Sequence, residues 1–250
     1  MSFCKDCFAA IQHDGVPSGT IERINGVHTY VTLPQCDYPK DKAVLFLVDL
    51  FGIEYPNNQL LADDFARNGF QVYAPDYLSG DVVTEAMFGN PDWNPIRDWL
   101  PNHTAEYTRP PLDAVISGLQ DRGIKTFGAT GYCFGGRYAV DLACDNVVKT
   151  ISISHPSLLV IPDDFQRLSR VSNTAVLINS CEFDTQFPPS AQQVTDELLG
   201  GQKYAAGYSR TYWAGCTYGF ANRGDMSDPV VKSAKEGAFR ASLEWFHKYL

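Results

Sequence analysis

Gly131-Tyr132-Cys133-Phe134-Gly135-Gly136 lies between the β-like run Lys125 to Thr130 and the helix-compatible run Arg137 to Ala143. A Gly-x-Cys-x-Gly turn joining a strand to a helix is the cysteine form of the nucleophile elbow, which projects a reactive side chain above the edge of a sheet. Its glycines lack Cβ, so strand and helix can close around a strained residue. The positive end of the following helix dipole favours a thiolate at Cys133. The competing reading is a tight turn with an inert buried thiol, a common setting for free cysteine. Glycines on both sides, with a strand before and a helix after, favour the elbow.

The rest of the chain supplies a matching scaffold. Thr20 to Ile24 and Val27 to Thr32 flank Asn25-Gly26, the pair a type I′ hairpin turn requires. Ala43 to Val48 is continuously apolar, as expected of a central parallel strand buried on both faces. A helix is predicted from about Asn57 to Asn68, closed by Gly69, with a strand at Gln71 to Ala74. Residues 76–108, rich in Trp, Pro, Asp and Asn, read as an excursion that covers a pocket. Pro111 to Arg122 reads as a helix, Lys149 to Ser154 and Ala175 to Ser180 as strands, and Ser190 to Leu199 as a helix. A strand follows near Ser209 to Tyr212. Pro229 to His247 reads as an amphipathic helix with Val230, Ala234, Ala238 and Trp245 near one face. Such alternation implies an α/β-hydrolase fold: a mostly parallel sheet with helices on both faces, led by an antiparallel hairpin. Residues 1–250 form one domain in this reading.

Composition narrows the function classes. A 250-residue chain, 44% hydrophobic and 20% charged, can bury a sizeable core. Its net charge of −9 argues against nucleic acid or an anionic membrane as partner. The first residues, Met1 to Asp6, lack the apolar core of a signal peptide, and the apolar run Ala43 to Ile53 is too short to span a bilayer. Seven scattered cysteines suit the reducing cytoplasm better than a disulfide framework. Cys4 and Cys7 have no second pair at metal spacing, so neither metal nor cofactor is expected. The expected partner is a small-molecule substrate, and the expected state a monomer or homodimer.

Chemistry in such a sheet gathers at the carboxyl ends of the strands. Those ends read Asp49-Leu50-Phe51-Gly52, Pro75-Asp76-Tyr77, Cys133, His155-Pro156-Ser157, Asp184 and the segment Gly215 to Arg223. Together with the Gly-x-Cys-x-Gly-Gly elbow and Gly219-Phe220-Ala221-Asn222-Arg223-Gly224, these stretches resemble the dienelactone hydrolase family, particularly its fungal members. The resemblance runs from about Cys7 to the C-terminus. It implies hydrolysis of enol-lactones through a Cys-His-Asp triad. By that resemblance Cys133 is the nucleophile and Asp184 the triad acid. Asp49 is the carboxylate that contacts the resting thiol, and the N–H groups of Leu50 and Phe134 form the oxyanion hole. Arg223 pairs with a substrate carboxylate. Phe51 and Trp99 line the substrate pocket, where Trp93, Trp99, Tyr107 and Phe51 form either a pocket lining or ordinary core.

One position departs from the pattern. Tyr218 stands where the family has its catalytic histidine. A phenol of pKa about 10 is only about 0.1% ionised at pH 7, whereas imidazole titrates near neutrality. Acylation of Cys133 is expected to survive and attack by water on the thioester to suffer. His155 and His103 are the candidate substitute bases, while His13, His28 and His247 read as surface or packing residues. Asp184, without a histidine to orient, either keeps its triad place or caps a loop. Three functions stay open: an impaired lactone or ester hydrolase; a cyclase, isomerase or lyase acting on a polyketide-like carbonyl compound with Tyr218 as proton donor; and a non-catalytic ligand binder.

Overall fold

A computed structural model describes residues 14–88 and 90–250. Eight strands form one sheet in the order β1-β2-β4-β3-β5-β6-β7-β8. β1 (Thr20–Ile24) and β2 (Val27–Thr32) make an antiparallel hairpin, and β2 pairs antiparallel with β4 (Val72–Pro75). β3 (Lys42–Leu47), β4, β5 (Thr126–Tyr132), β6 (Thr150–Ser154), β7 (Ala175–Phe183) and β8 (Tyr208–Thr217) run parallel. At the hairpin turn Asn25 has φ 46° and Gly26 φ 85°. Both values lie in the left-handed region that an Asn-Gly type I′ turn needs.

Helices cover the two faces. α1 (Pro56–Arg67) follows β3, and α4 (Ala105–Asp121) follows the excursion. α5 (Phe134–Cys144) follows the elbow, α6 (Asp163–Val171) follows β6, and α7 (Pro189–Leu199) follows β7. α8 (Phe220–Arg223) and α9 (Pro229–Tyr249) close the chain. Residues 76–104 carry the short helices α2 (Glu85–Phe88) and α3 (Pro95–Asp98) and a 3-10 turn at Leu100–Asn102. Asn94 caps α3 by accepting from the Ile96 and Arg97 N–H groups. No described helix is long and apolar enough to cross a membrane.

Burial explains these choices. Val44 to Val48 are fully buried, as the unbroken apolar run of a two-sided central strand requires. α5 packs against β3, β5 and β6, and α9 against β6, β7 and β8. Phe46, Phe65, Tyr132 and Phe246 are among the largest fully buried side chains. Burial of each such ring contributes about 2–3 kcal/mol.

Several predicted elements differ. α4 starts at Ala105, six residues before the predicted Pro111, and holds Pro110 and Pro111 inside it. Those prolines lack the donors for the carbonyls of Glu106 and Tyr107, which belong to exposed residues where water can replace them. Meanwhile Leu112, Val115 and Leu119 bury one face of the helix completely. α6 is absent from the prediction although its sequence carries the signals: Asp163 and Asp164 in the first turn, Arg170 in the last, and buried Phe165 and Leu168 at helical spacing. On α9 Ala234, Ala238 and Trp245 are buried, but Val230 is 50% exposed because it lies in the first turn, beyond the sheet.

Around the elbow the glycines are steric requirements. A Cβ on Gly135 would lie 2.1 Å from the Leu47 carbonyl oxygen, and one on Gly131 would lie 2.6 Å from the Gly135 carbonyl oxygen. Both obstacles are backbone, so no side chain can swing aside. Gly135→Ala is expected to cost about 3 kcal/mol or to prevent folding, read as a lowered midpoint in urea denaturation; an unchanged midpoint would refute this close packing of β3 on α5.

Candidate active site

Cys133 occupies the junction of β5 and α5 with φ 53° and ψ −114° and is 3% exposed. Its N–H donates to the Ser154 carbonyl at 3.2 Å, and its carbonyl accepts from the N–H groups of Gly136 and Ser157, each at 3.0 Å. Cross-links of this kind hold a non-glycine residue in a strained conformation. The thiol lies 4.0 Å from the Ser157 hydroxyl. The Tyr218 phenol and the Phe134 N–H act on the same sulfur and favour its charged form.

Tyr218 arrives from β8. Its N–H donates to the Phe183 carbonyl at 2.9 Å, fixing it beside the end of β7. Gly219 then turns the chain at φ 94° into α8. That short helix delivers Asn222 and Arg223 to Asp49 at the end of β3. Asp49 is fully buried and paired with the Arg223 guanidinium. It also accepts from Asn222 at 2.8 Å, from Asn58 at 3.0 Å and from the Phe51 N–H at 3.2 Å. The expected contact of Asp49 with the thiol is thus replaced by these partners, since a buried carboxylate takes the nearest cation. Arg223 is correspondingly committed to Asp49, with its guanidinium 5.2 Å from the Phe51 ring centroid and 5.8 Å from that of Tyr218.

Asp184 sits in the loop after β7, 4% exposed. One carboxylate oxygen accepts from the N–H groups of Gln186 and Phe187, both at 2.8 Å, so the residue does cap its loop. The other oxygen is buried without a hydrogen-bond partner. His155, at the end of β6, is fully buried with φ 37°, and neither ring nitrogen has a partner. Its ring meets Tyr218 edge to face at 5.2 Å and Phe220 at 5.7 Å.

Burial dominates the electrostatics of Cys133, Tyr218, His155 and Asp184. Burial pushes the Cys133 thiol up from its ordinary value, with nearby Arg223 opposing and Asp49 reinforcing the shift. The thiolate expected from the helix dipole is therefore outweighed by desolvation. Burial also holds the Tyr218 phenol well above its usual range, and the neighbouring Cys133 adds to the shift. Burial, with Arg223, holds His155 well below ordinary histidine. Asp184 is raised by burial, against its two backbone bonds.

Other expected residues lie apart. Trp99 is not free to meet substrate: its indole N–H donates to the Asp81 carbonyl at 2.9 Å, His103 stacks on it at 3.7 Å, and its ring meets Phe134 at 5.2 Å. The same stack removes His103 as a candidate base. Tyr107 is 64% exposed and forms no cluster with the buried Trp99 and Phe51. Leu50 accepts the Val83 N–H at 2.8 Å, tying the excursion to the site's rim. His28 is exposed and His247 lies 4.7 Å from Phe70. Cys4, Cys7 and His13 fall outside the described residues. No group of three or more His, Cys, Asp or Glu among the described residues could hold a metal ion. Sequence reasoning missed Ser157, Asn58 and Asn222 as site neighbours. Ser157 had a signal in its strand-end position and Asn222 in the Gly219 to Gly224 stretch, whereas Asn58 had none.

Residues 27–250 match the profile described as the dienelactone hydrolase family. The chain belongs to that family. It is 30% identical to hydrolase tropI of Talaromyces stipitatus, over 98% of this chain and 95% of that one. It is 29% identical to hydrolase pyvD of Aspergillus violaceofuscus, over 98% and 96%. The crystal structure of a candidate dienelactone hydrolase from Klebsiella pneumoniae shares the fold, with TM-score 0.73 and 17% identity over 93% of this chain and 99% of that one.

His155 makes this family member acid-sensitive. The folded protein keeps it neutral well below the ordinary histidine range in which the unfolded chain takes up a proton. Across that range the unfolded state binds more protons, so stability falls as pH drops, by up to about 1.4 kcal/mol per pH unit from this residue. His155→Leu is expected to flatten the slope of urea-derived stability between pH 6.5 and pH 5; an unchanged slope would refute a buried neutral imidazole.

Proposed function

We propose that the chain is a dienelactone-hydrolase-like enzyme that acts on a small unsaturated lactone or ester through Cys133, with hydrolysis slowed by the phenol at position 218. In this reading the sulfur attacks the carbonyl carbon as the ester C–O bond breaks. The N–H groups of Leu50 and Phe134 receive the developing oxyanion, and Tyr218 supplies a proton to the leaving oxygen. Asp49 and Arg223 act as a fixed charge pair beside the thiol, and Phe51 offers an apolar wall next to it. The thioester then waits for water. The setting that fits is cytoplasmic secondary metabolism, on polyketide-like compounds.

The observation that carries this reading is the pairing of an elbow cysteine with a phenol in the loop where the family's base belongs. The partnerless Asp184 oxygen supports it further, since it lies in the loop beside Tyr218, as a carboxylate that orients an imidazole would. Brief exposure to p-nitrophenyl acetate is expected to leave an acetyl adduct on Cys133 by mass spectrometry, formed faster than it is lost. Rapid steady turnover with no adduct would mean that another group supplies the base.

A second reading is favoured by how firmly Tyr218 keeps its proton. A buried neutral phenol suits protonation of an enolate, as in an isomerase, cyclase or lyase that needs no acyl-enzyme. The two readings part at residue 218. For a hydrolase that has lost its base, Tyr218→His raises ester hydrolysis about 10²–10⁴-fold, because the imidazole recovers general base catalysis. For an enolate-protonating enzyme, Tyr218→Phe abolishes the native reaction while Cys133→Ala leaves it. No gain from the histidine would count against the assignment of the base loop.

A further inference from the structure

We infer that Ser157 is a further catalytic residue, whose hydroxyl closes a ring of three proton-carrying groups with the Cys133 thiol and the Tyr218 phenol. This rests on the proposed acyl transfer through Cys133 and assigns the proton path for it. Ser157 lies 4.0 Å from the sulfur, and both groups act electrostatically on the neighbouring Tyr218 phenol. Thiol, phenol and hydroxyl can each donate one hydrogen bond and accept another, so three of them form a closed circuit.

The turn that presents Ser157 is built for this placement. Its backbone is pinned on both sides, with the His155 N–H donating to the Asn179 carbonyl at 3.0 Å and the Ser157 N–H to the Cys133 carbonyl at 3.0 Å. His155 and Leu158 bracket it with φ 37° and 61°, a concentration of backbone strain beside the strained Cys133. A Cβ on Gly136 would lie 2.7 Å from Cβ of Pro156, so α5 carries a glycine where the turn crosses it. Strain held in place by surrounding contacts is a feature of functional sites. Ser157 itself is 7% exposed, so its hydroxyl serves the site and not the surface.

The circuit moves protons without an imidazole. In acylation the S–C bond forms and the ester C–O bond breaks. The thiol proton passes to Ser157, Ser157 passes its own to Tyr218, and Tyr218 gives its proton to the leaving oxygen. In deacylation water forms a C–O bond as the S–C bond breaks, and a water proton returns to the sulfur along the same hydroxyls. The balance is ester plus water giving acid plus alcohol, with each side chain restored.

The test compares Ser157→Thr with Ser157→Val, which share a shape and differ in the hydroxyl. With p-nitrophenyl acetate, the Val variant is expected to lose about 100-fold in kcat at unchanged KM and to accumulate acetyl-Cys133, while the Thr variant retains most of the activity. Rates in H2O–D2O mixtures should bow downward for the wild type, because several protons move together, and become linear for the Val variant. Equal kcat and equal isotope curvature in the Val and Thr variants would overturn the inference while adduct formation still supported Cys133 as nucleophile. Absence of any Cys133 adduct in the wild type, with ester turnover that survives Cys133→Ala, would overturn the acyl-transfer reading itself.

Discussion

Asp49 is the point on which the site's geometry depends. A fully buried carboxylate at the end of the central strand must find partners, and it finds them in Arg223, Asn222, Asn58 and the Phe51 N–H. Leaving such a charge unpaired costs about 3–5 kcal/mol. The pairing therefore clamps α8, near the end of the chain, onto the loop after β3, near its beginning. Tyr218 and Gly219 immediately precede α8, so the same clamp holds the phenol over the elbow. A deeply buried ion pair is weak evidence for stability, but here it fixes the register between two distant segments.

Around that one pair, burial disfavours the charged forms of the neighbouring groups. Burial raises the Cys133 thiol, raises the Tyr218 phenol and lowers His155. A Cys-His-Asp triad works by holding an ion pair ready to attack. This site instead holds proton donors around a sulfur.

The excursion between β4 and α4 shows how packing redirects residues that look exposed in sequence. Trp99 reads as a pocket residue because large aromatics in a polar loop are conspicuous. In the fold its indole N–H donates to the Asp81 carbonyl, His103 stacks on its ring and Phe134 meets it edge to face. The segment is thereby anchored on Phe134, the residue that follows Cys133. Tyr107, from the same stretch, lies on the outer face of α4 because a seventeen-residue helix has a dry side and a wet one.

Much of the architecture was legible from one dimension. The Asn25-Gly26 turn, the apolar run before Asp49 and the glycines around Cys133 act through local backbone sterics or strand burial, so strand, hairpin and elbow could be read from them directly. The start of α4 was not read because the burial of Leu112 and Val115 carries the helix through two prolines, and α6 was not read although its sequence holds acidic first-turn residues and an apolar pair at helical spacing. That residue 218 is a phenol was equally a matter of sequence alone. Its partners were not. Which hydroxyl faces the thiol, which cation neutralises Asp49 and which carboxylate oxygen is left bare depend on distances between residues far apart in the chain, and those distances exist only once the sheet has brought the strand ends together. The sign of the thiol's shift was likewise a tertiary matter, because desolvation depends on everything packed around Cys133, whereas the helix dipole could be inferred from the six residues of the elbow.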